Sequence, residues 1–355
     1  MSAARVTAVV LSMGEPTVER ALASVAAQTR PVADVVLVEG VSPFHRALNE
    51  GASRVTTEHF IQVDADMVLE RDCVERLSAC LDASVGAVIG MLRDPLYGRV
   101  EAIKLLRTDG FDRGGFPDSI SPDTDFLSGL AERGLTMVYA LRHDRGAPIE
   151  WHTFGEHRPE YTPLYTFEKQ KRDGRRLRYR GKPESVPYHL DVLNRSTHPV
   201  ALLAEIALAH GLFLEWEGDR QRPAEEGDDF RFLEAFLGGP SESPAHASPP
   251  LVLFLAATPE AAFRRSYERG ARHASSGCRD RFAADLDALH RWRHPWAWIM
   301  QAALCRGLFA GRVAGASLAE DWERIAPLAR TPRAPEILMN AVRGLRARVR
   351  AATGR

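Results

Sequence analysis

The sequence predicts an α/β domain followed by a mainly helical domain. In the first half, short apolar and β-branched runs alternate with a helix-like spacing of apolar residues, as in a sheet covered by helices. In the second half helical spacing predominates, and a stretch rich in Gly, Ser and Pro at residues 238–250 is predicted to be a linker. We therefore expect a sheet domain over residues 1–190 and a helical accessory domain over residues 191–355.

Two strands and the helix between them indicate a Rossmann-like, mostly parallel sheet. Residues 5–11 form an apolar run, and the following turn places Pro16 where it can begin a helix. Residues 18–26 carry apolar side chains at helical spacing, and residues 34–39 form a second apolar run. This β-α-β order predicts parallel strands joined by right-handed crossovers.

Two carboxylates, Asp64 and Asp66, directly follow a third run at residues 58–63. A strand interior does not tolerate ionised carboxylates, but at its carboxyl end they can be hydrated or bind a hard cation such as Mg²⁺ or Mn²⁺. Open α/β sheets bind ligands beyond the carboxyl ends of their strands. For the tripeptide alone, a plain strand-ending turn is the favoured interpretation, because Asp is common in turns.

The motifs of the first half occur in a specific order. They are a strand ending in Ser12, a helix ending in Ser-x-x-x-Gln-Thr at residues 24–29, a strand ending in Glu39, an Asn-x-Gly helix at residues 46–51, the Asp-x-Asp of residues 64–66, and an acidic pair that opens a helix at residues 123–125. In this order the chain resembles the family 2 glycosyltransferases, which are inverting enzymes on the GT-A fold. The resemblance ends at about residue 165.

The resemblance implies that a nucleotide-diphospho-sugar donor gives its sugar to a hydroxyl of a carbohydrate or glycolipid acceptor. It assigns donor binding to Ser12, Glu39, Asn49 and Asp64, and binding of a divalent cation, Mn²⁺ or Mg²⁺, to Asp66. Glu39 stands where the family has Asp, so its carboxylate oxygens are moved by one methylene group.

A general base is expected in the acidic pair Asp123 and Asp125. The resemblance assigns this role to Asp123, but Pro122 replaces the Glu that often precedes the base, so the choice between Asp123 and Asp125 stays open. Both carboxylates also suit the first turn of a helix, where the helix dipole favours negative charge. The two roles are compatible.

A histidine beyond the next strand is the expected third element of the metal site. Some family members have a metal-binding His at about this distance, which makes His152 the first candidate and His157 the second. An imidazole can complete a Mn²⁺ coordination shell. Polar histidines on a surface loop are the alternative.

Composition limits the partners and the location. A formal net charge of −1 and a pI near 6.9 argue against nucleic acid as a partner. The basic segment at residues 161–179 is compatible with phosphate binding or with a solvated helix. The four cysteines have neither zinc-site nor disulfide spacing, and no signal peptide is evident, so we expect a cytoplasmic protein. A basic amphipathic helix at residues 334–351 would allow peripheral contact with anionic lipid, although a solvated helix is the favoured interpretation.

Two rival functions stay open. A sugar-phosphate nucleotidyltransferase should have a Gly-rich loop with a basic residue after the first strand, where this chain has Gly14 and Glu15. A non-catalytic nucleotide-sugar-binding protein on the same fold would be expected to lose the base or the Asp-x-Asp. No internal repeat of fixed period stands out in the helical half, so the sequence gives no direct support for a repeat solenoid.

Overall fold

The computed structural model describes residues 5–111, 114–119, 121–140, 153–179, 185–214, 228–238, 258–291, 296–310, 312 and 317–327. The chain divides into two compact units between Glu160 and Tyr161. This division precedes residue 190, and the boundary near residue 190 stays a prediction. Each unit is described below by itself.

The first unit is built on one mixed sheet. Its strands are β1 Val6–Ser12, β2 Asp34–Glu39, β3 His59–Asp64, β4 Met67–Leu69, β5 Val85–Asp94, β6 Gly98–Arg107, β7 Thr136–Tyr139 and β8 Thr153–His157. The strand order is β2-β1-β3-β6-β5-β8-β4, and β7 pairs with β5. Strand β1 runs parallel to β2 and β3, and β5 runs parallel to β7 and β8, whereas β6 is antiparallel to β3 and β5 and β4 is antiparallel to β8.

Helices cover both faces of this sheet. They are α1 Val18–Ala26, α2 Phe44–Ser53, α3 Cys73–Ser78 and α4 Pro122–Gly129, with short 3₁₀ helices at Thr108–Phe111 and Ala131–Arg133. Helices α1 and α3 bury apolar side chains in the core on one face, and α2 and α4 do so on the other. The α/β prediction for the first half is therefore confirmed, with antiparallel pairs where β6 and β4 join the sheet.

The second unit is helical in its described residues. Its helices are α5 Pro163–Tyr179, α6 Ser185–Arg195, α7 Ala201–Gly211, α8 Asp228–Leu237, α9 Pro259–Ser276, α10 Arg279–Arg291, α11 Ala297–Leu308 and α12 Leu318–Ile325. The prediction of a mainly helical second half is confirmed. The predicted helix at 334–351 and residues 239–250 of the predicted linker lie outside the described residues. Among the described helices, none combines the length and the hydropathy that crossing a bilayer requires.

The helical unit contains an internal duplication, which sequence reasoning missed. Residues 162–213 align without gaps with residues 258–309, at an offset of 96 positions, and 18 of the 52 aligned residues are identical. Helices α5, α6 and α7 thus correspond to α9, α10 and α11. At the start of each copy, a Thr hydroxyl accepts a backbone hydrogen bond three residues on: Thr162 from Tyr165 and Thr258 from Ala261, each at 3.2 Å.

The same glycine pair brings two helices together in each copy. Gly174 and Gly211 lie at the contact between α5 and α7, and Gly270 and Gly307 lie at the contact between α9 and α11. A Cβ atom at any of these four positions would clash with a backbone carbonyl of the facing helix. Glycine is therefore required in both copies by the close approach of the two backbones.

Equivalent residues of the two copies contact each other reciprocally. His210 of α7 and Arg306 of α11 occupy equivalent positions, and Arg306 Nη1 lies 3.0 Å from His210 Nδ1. The His210 ring stacks on Phe309 at 3.9 Å between centroids, and the Arg306 guanidinium lies 5.6 Å from the ring centroid of Phe213, the equivalent of Phe309. Reciprocal contacts of this kind are those of a two-fold axis, so the two copies pack like the subunits of a symmetric dimer.

Candidate active site

Three predicted donor-binding residues lie at one edge of the sheet. Ser12, Glu39 and Asp64 end strands β1, β2 and β3. In the strand register Ser12 is opposite Glu39, and Leu11 is opposite Asp64. The parallel order of these strands brings their carboxyl ends together, as the sequence predicts.

The Ser12 side chain is held in the turn after β1. Its hydroxyl donates to Glu15 Oε2 at 2.9 Å and accepts from the backbone N–H of Gly14 at 2.9 Å. The N–H of Met13 donates to the same Glu15 oxygen at 2.7 Å. Gly14 has φ +94°, which favours glycine. Hydrogen bonds to the Glu15 carboxylate therefore hold this turn. The turn lacks the glycines and the basic residue of a phosphate-binding loop.

Asp64 is a partly buried carboxylate with a perturbed pKa. Burial raises the pKa of Asp64 to about 6, and the neighbouring charge of Asp66 acts in the same direction. The charge of Lys104 and a hydrogen bond of 3.2 Å from Gln62 Nε2 oppose the rise. A ligand hydroxyl donating to this carboxylate would favour its ionised form.

Asp66, His157 and Asp94 form a chain of hydrogen-bonded groups. His157 Nε2 lies 3.3 Å from Asp66 Oδ2, and His157 Nδ1 lies 2.6 Å from Asp94 Oδ2. The other Asp94 oxygen accepts the backbone N–H groups of Leu96 and Tyr97 at 2.8 and 2.7 Å. The Asp94 side chain is fully buried, so it holds the imidazole in a fixed orientation.

The strand pairing explains why these groups meet. Strand β8 is antiparallel to β4 with Met67 opposite His157, so the histidine stands one residue from Asp66. Strand β5 runs parallel to β8 and ends in Asp94.

Burial lowers the pKa of His157, but the hydrogen bonds to Asp66 and Asp94 outweigh it and raise the pKa to about 9. The imidazolium thus occupies the place of a cation between two carboxylates.

The residues present fit a divalent cation that a ligand helps to hold. Asp66 Oδ1 is buried and has no hydrogen-bond partner among the described residues. Asp66 Oδ2 and His157 Nε2 converge, and Asp94 takes the position of the carboxylate that commonly orients a metal-binding His. Within the described ranges no group of three His, Cys, Asp or Glu could hold a metal by itself. Waters and ligand phosphates usually supply the remaining positions of such sites.

His157, the second candidate, is the histidine that the structure brings to Asp66. The first candidate, His152, lies outside the described residues. Its role as a metal ligand stays a prediction.

Asp123 and Asp125, the two candidates for the general base, have different surroundings at the start of α4. Asp123 Oδ2 lies 3.2 Å from Lys104 Nζ, and its Oδ1 accepts the N–H of Thr124 at 2.8 Å. Asp125 is exposed and accepts from the Ser119 hydroxyl at 2.5 Å. Asp123 is therefore the acid that Lys104 connects to Asp64 at the carboxyl end of β3.

Lys104 connects the two halves of this site. It lies in β6 opposite Gln62 of β3, and its side chain is 8% exposed. Its ammonium group is close enough to lower the pKa of Asp64 while it pairs with Asp123. A single buried cation thus acts on both Asp64 and Asp123.

The Asn49 side chain forms two hydrogen bonds to the main chain of Phe116. Its Nδ2 donates to the carbonyl of Phe116 and its Oδ1 accepts the N–H of Phe116, both at 2.8 Å. In this arrangement Asn49 fixes the loop that precedes α4. Its role in donor binding stays a prediction.

Sequence reasoning missed Asp94 and Lys104. Asp94 ends an apolar strand and precedes Pro95, the same pattern that drew attention to Asp64, so it was detectable as a strand-ending carboxylate. Lys104 is a single cation within the apolar run 103–106. Only the antiparallel register of β3 and β6 places it next to Gln62, and no local pattern indicates that pairing.

Solved structures with overall similarity include glycosyltransferases. A mannosyltransferase, PcManGT from Pyrobaculum calidifontis in complex with GDP-Man and Mn²⁺, matches at 16% identity with a TM-score of 0.41, over 88% of each chain. S. aureus TarS 1–349 matches at 10% identity with a TM-score of 0.30, over 82% of this chain and 93% of TarS. The same TarS fragment in complex with UDP matches at 11% identity with a TM-score of 0.30, over 86% and 89% of the two chains.

These scores are too low to establish a function or a family. No family model matches the sequence, and no curated protein matches it. A functional proposal therefore depends on the geometry of Asp64, Asp66, Asp94 and His157.

Proposed function

We propose that the protein is an inverting, metal-dependent glycosyltransferase of the family 2 type on a GT-A fold. It would transfer a sugar from a nucleotide-diphospho-sugar to a hydroxyl of a carbohydrate or glycolipid. One observation supports this proposal most strongly. Asp66 and His157 converge at the sheet edge where Asp64 also lies, and Asp94 holds the other ring nitrogen of His157. Lys104 links this cluster to Asp123.

The residues divide the work as follows. Glu39 and Asp64 would accept hydrogen bonds from the nucleoside, beside the turn that holds Ser12. Asp66 and His157 would hold the cation, and Asp94 would orient His157. A bound divalent cation would offset the negative charge that develops on the departing diphosphate.

Asp123 would act as the general base. The acceptor oxygen forms a bond to the anomeric carbon as the bond from that carbon to the diphosphate oxygen breaks, and the hydroxyl proton passes to the carboxylate. Such proton transfer contributes about 10²- to 10⁴-fold to the rate. Attack opposite the leaving group inverts the anomeric configuration in a single step, without a covalent intermediate on the protein.

Two observations favour this function over its rivals. The turn after β1 is organised by Glu15, which would repel the triphosphate that a nucleotidyltransferase must bind there. A protein that only binds the sugar nucleotide would not need the carboxylate of Asp123 beside a buried cation. The cytoplasm and peripheral membrane contact remain predictions of the sequence.

A thermal-shift screen tests the proposal, because a ligand that binds only the folded state raises the apparent stability. UDP, GDP, CDP and TDP would each be added with and without Mn²⁺ to wild type, to Asp66→Asn and to Asp287→Asn, whose carboxylate is exposed on α10. We expect one nucleotide to give a Mn²⁺-dependent shift in wild type and in Asp287→Asn but not in Asp66→Asn. The absence of any Mn²⁺-dependent shift would refute the proposal.

A further inference from the structure

The duplication provides an internal comparison for helix α5, which carries most of the basic segment. Helices α5 and α9 occupy equivalent positions in the two copies. Both begin with proline, at Pro163 and Pro259, and both place glycine at the close contact described above. Phe167 and Phe263 are equivalent and fully buried. The packing requirements of the two helices are therefore the same.

The charges of the two helices differ. Four cationic positions of α5 have no cation at the equivalent position of α9: Lys171 corresponds to Tyr267, Arg172 to Glu268, Arg175 to Ala271, and Arg178 to Ala274. Helix α9 forms and packs without these cations. The repeat can therefore fold without cations at these four positions. In α5, Lys171 pairs with Glu168 and Arg178 donates to the carbonyl of Leu214, whereas Arg172 and Arg175 have no such contact among the described residues.

Three arginines of α5 bury hydrogen-bond donors that have no partner: Arg172 and Arg175, which α9 lacks, and Arg176, which corresponds to Arg272 of α9. The Nε atoms of Arg172, Arg175 and Arg176 are inaccessible to solvent and form no hydrogen bond within the part of the chain that the structure describes. Leaving a buried polar donor unpaired is costly. The spacing i, i+3, i+4 places the three side chains on neighbouring positions of one helix face.

The acids of α5 neutralise this group only in part. Glu168 pairs with Lys171 at 2.7 Å, and Asp173 pairs with Lys169 at 3.1 Å and with Arg176 at 3.3 Å. Burial alone would raise the pKa of Asp173, but the charges of Lys169, Arg176 and Arg172 outweigh it and hold the pKa below its ordinary value. Among the described residues, no carboxylate lies within ion-pair distance of Arg175. The arginine face thus keeps an excess of positive charge.

We propose that Arg172, Arg175 and Arg176 form a binding surface for the phosphate or diphosphate group of a ligand. A guanidinium offers paired N–H donors that match two phosphate oxygens, and it stays charged at every relevant pH. Phosphate oxygens would accept from the partly exposed guanidinium groups of these arginines and balance the charge of the arginine face. This inference rests on the comparison of α5 with α9 and does not depend on the proposed function.

Direct binding of inorganic pyrophosphate to the full-length protein tests the proposal. Calorimetry would be run in EDTA, so that no cation promotes binding at Asp66. The test variant is Arg172→Gln/Arg175→Ala, in which Ala is the residue that α9 carries at the position of Arg175. The control is Arg265→Gln/Arg272→Gln, which removes two exposed cations from α9 and changes the net charge equally.

We expect pyrophosphate to bind wild type and the control alike, and to bind the test variant at least about tenfold more weakly, as expected for loss of bidentate charge-assisted hydrogen bonds. An equal loss in both double variants, or no change in the test variant, would overturn the proposal. If the test variant does not fold, Arg175→Ala alone is measured against Arg272→Ala with the same criterion.

A second arm identifies the source of the phosphate. Sedimentation with vesicles of phosphatidylglycerol, compared with vesicles of phosphatidylcholine, measures membrane binding of the same proteins. Binding to the anionic vesicles that the test variant loses and the control keeps would support a lipid headgroup as the ligand. Pyrophosphate binding without vesicle binding would support a soluble phosphorylated ligand, and absence of both would refute the surface.

Discussion

At the residue scale, two buried side chains, Asp94 and Lys104, organise the candidate site. Asp94 accepts two backbone N–H groups with one oxygen and holds His157 with the other. Lys104 is buried between Asp64 and Asp123. A buried charge is costly unless it is paired. The ion pairs and hydrogen bonds of Asp94 and Lys104 therefore fix these two side chains and the groups that they contact.

Replacing Asp94 by Asn tests its positioning role. Asn retains an oxygen that can accept the N–H groups of Leu96 and Tyr97, but it removes the negative charge that faces His157. We expect Mn²⁺ to bind about 10- to 100-fold more weakly, the usual cost of losing such a partner. Titration of the metal by calorimetry, with Asp287→Asn as the control, measures this. Equal Mn²⁺ affinity in Asp94→Asn and wild type would show that Asp94 does not orient a ligand.

The two acids of α4 should differ in their effects on turnover. Asp123→Asn removes the proposed base, and we expect kcat to fall by about 10²- to 10⁴-fold with donor affinity unchanged. Asp125 is exposed and bonded to Ser119, so Asp125→Asn should lower kcat much less. Steady-state kinetics with the donor selected by the nucleotide screen distinguishes the two. A larger loss in Asp125→Asn would move the base to Asp125.

At the element scale, the helical unit depends on close contacts between paired helices. Gly174→Ala and Gly270→Ala each place a Cβ against a backbone carbonyl of the facing helix. We expect each to lower the free energy of unfolding by about 1–3 kcal/mol, the usual cost of overpacking. Gly129→Ala in α4 has no atom within contact distance of the added Cβ and should stabilise by about 0.4–1 kcal/mol. Urea denaturation measures all three, and equal stabilities for Gly270→Ala and Gly129→Ala would contradict the close helix contact.

The junction of α7 and α11 predicts a pH dependence of stability. Burial, with the charge of Arg306, lowers the pKa of His210 to about 4 against the opposing hydrogen bond to Asp229. The unfolded chain, with an ordinary His pKa near 6.5, therefore takes up a proton first as the pH falls. Stability from this group is complete above about pH 6.5 and is lost progressively toward pH 4, by an amount on the order of 1–3 kcal/mol.

His210→Gln isolates this contribution. Gln can still accept from Arg306 and donate to Asp229, but it does not titrate. The difference in melting temperature between pH 7.5 and pH 5 should therefore be smaller in His210→Gln than in wild type. The same difference in both proteins would show that His210 does not cause the pH dependence.

At the scale of the whole molecule, the strand ends of the first half and the helical content of the second half were predictable, whereas the distant strand pairings and the duplication were not. The ends of β1, β2 and β3 carry local patterns, and the β-α-β order brings Ser12, Glu39 and Asp64 together without further information. The site also depends on pairings between distant strands, which place His157 beside Asp66 and Lys104 beside Gln62. No local pattern in the sequence predicts these strand pairings.

The duplication escaped sequence reasoning because its offset of 96 residues is far longer than the period of common helical repeats. Its shared residues are those that the helix contacts require, such as the glycines at 174 and 270. The residues that differ between the copies, such as Arg175 and Ala271, hide the repeat, and they also carry the inference of a phosphate-binding surface.

The central claim is that Asp66 and His157 together hold a cation that a nucleotide diphosphate completes. The most direct test is calorimetric binding of the selected nucleotide, with and without Mn²⁺, to wild type, His157→Gln and His189→Gln, whose histidine lies on α6. The account predicts that Mn²⁺ strengthens nucleotide binding in wild type and in His189→Gln but not in His157→Gln. Equal strengthening by Mn²⁺ in all three proteins would contradict it.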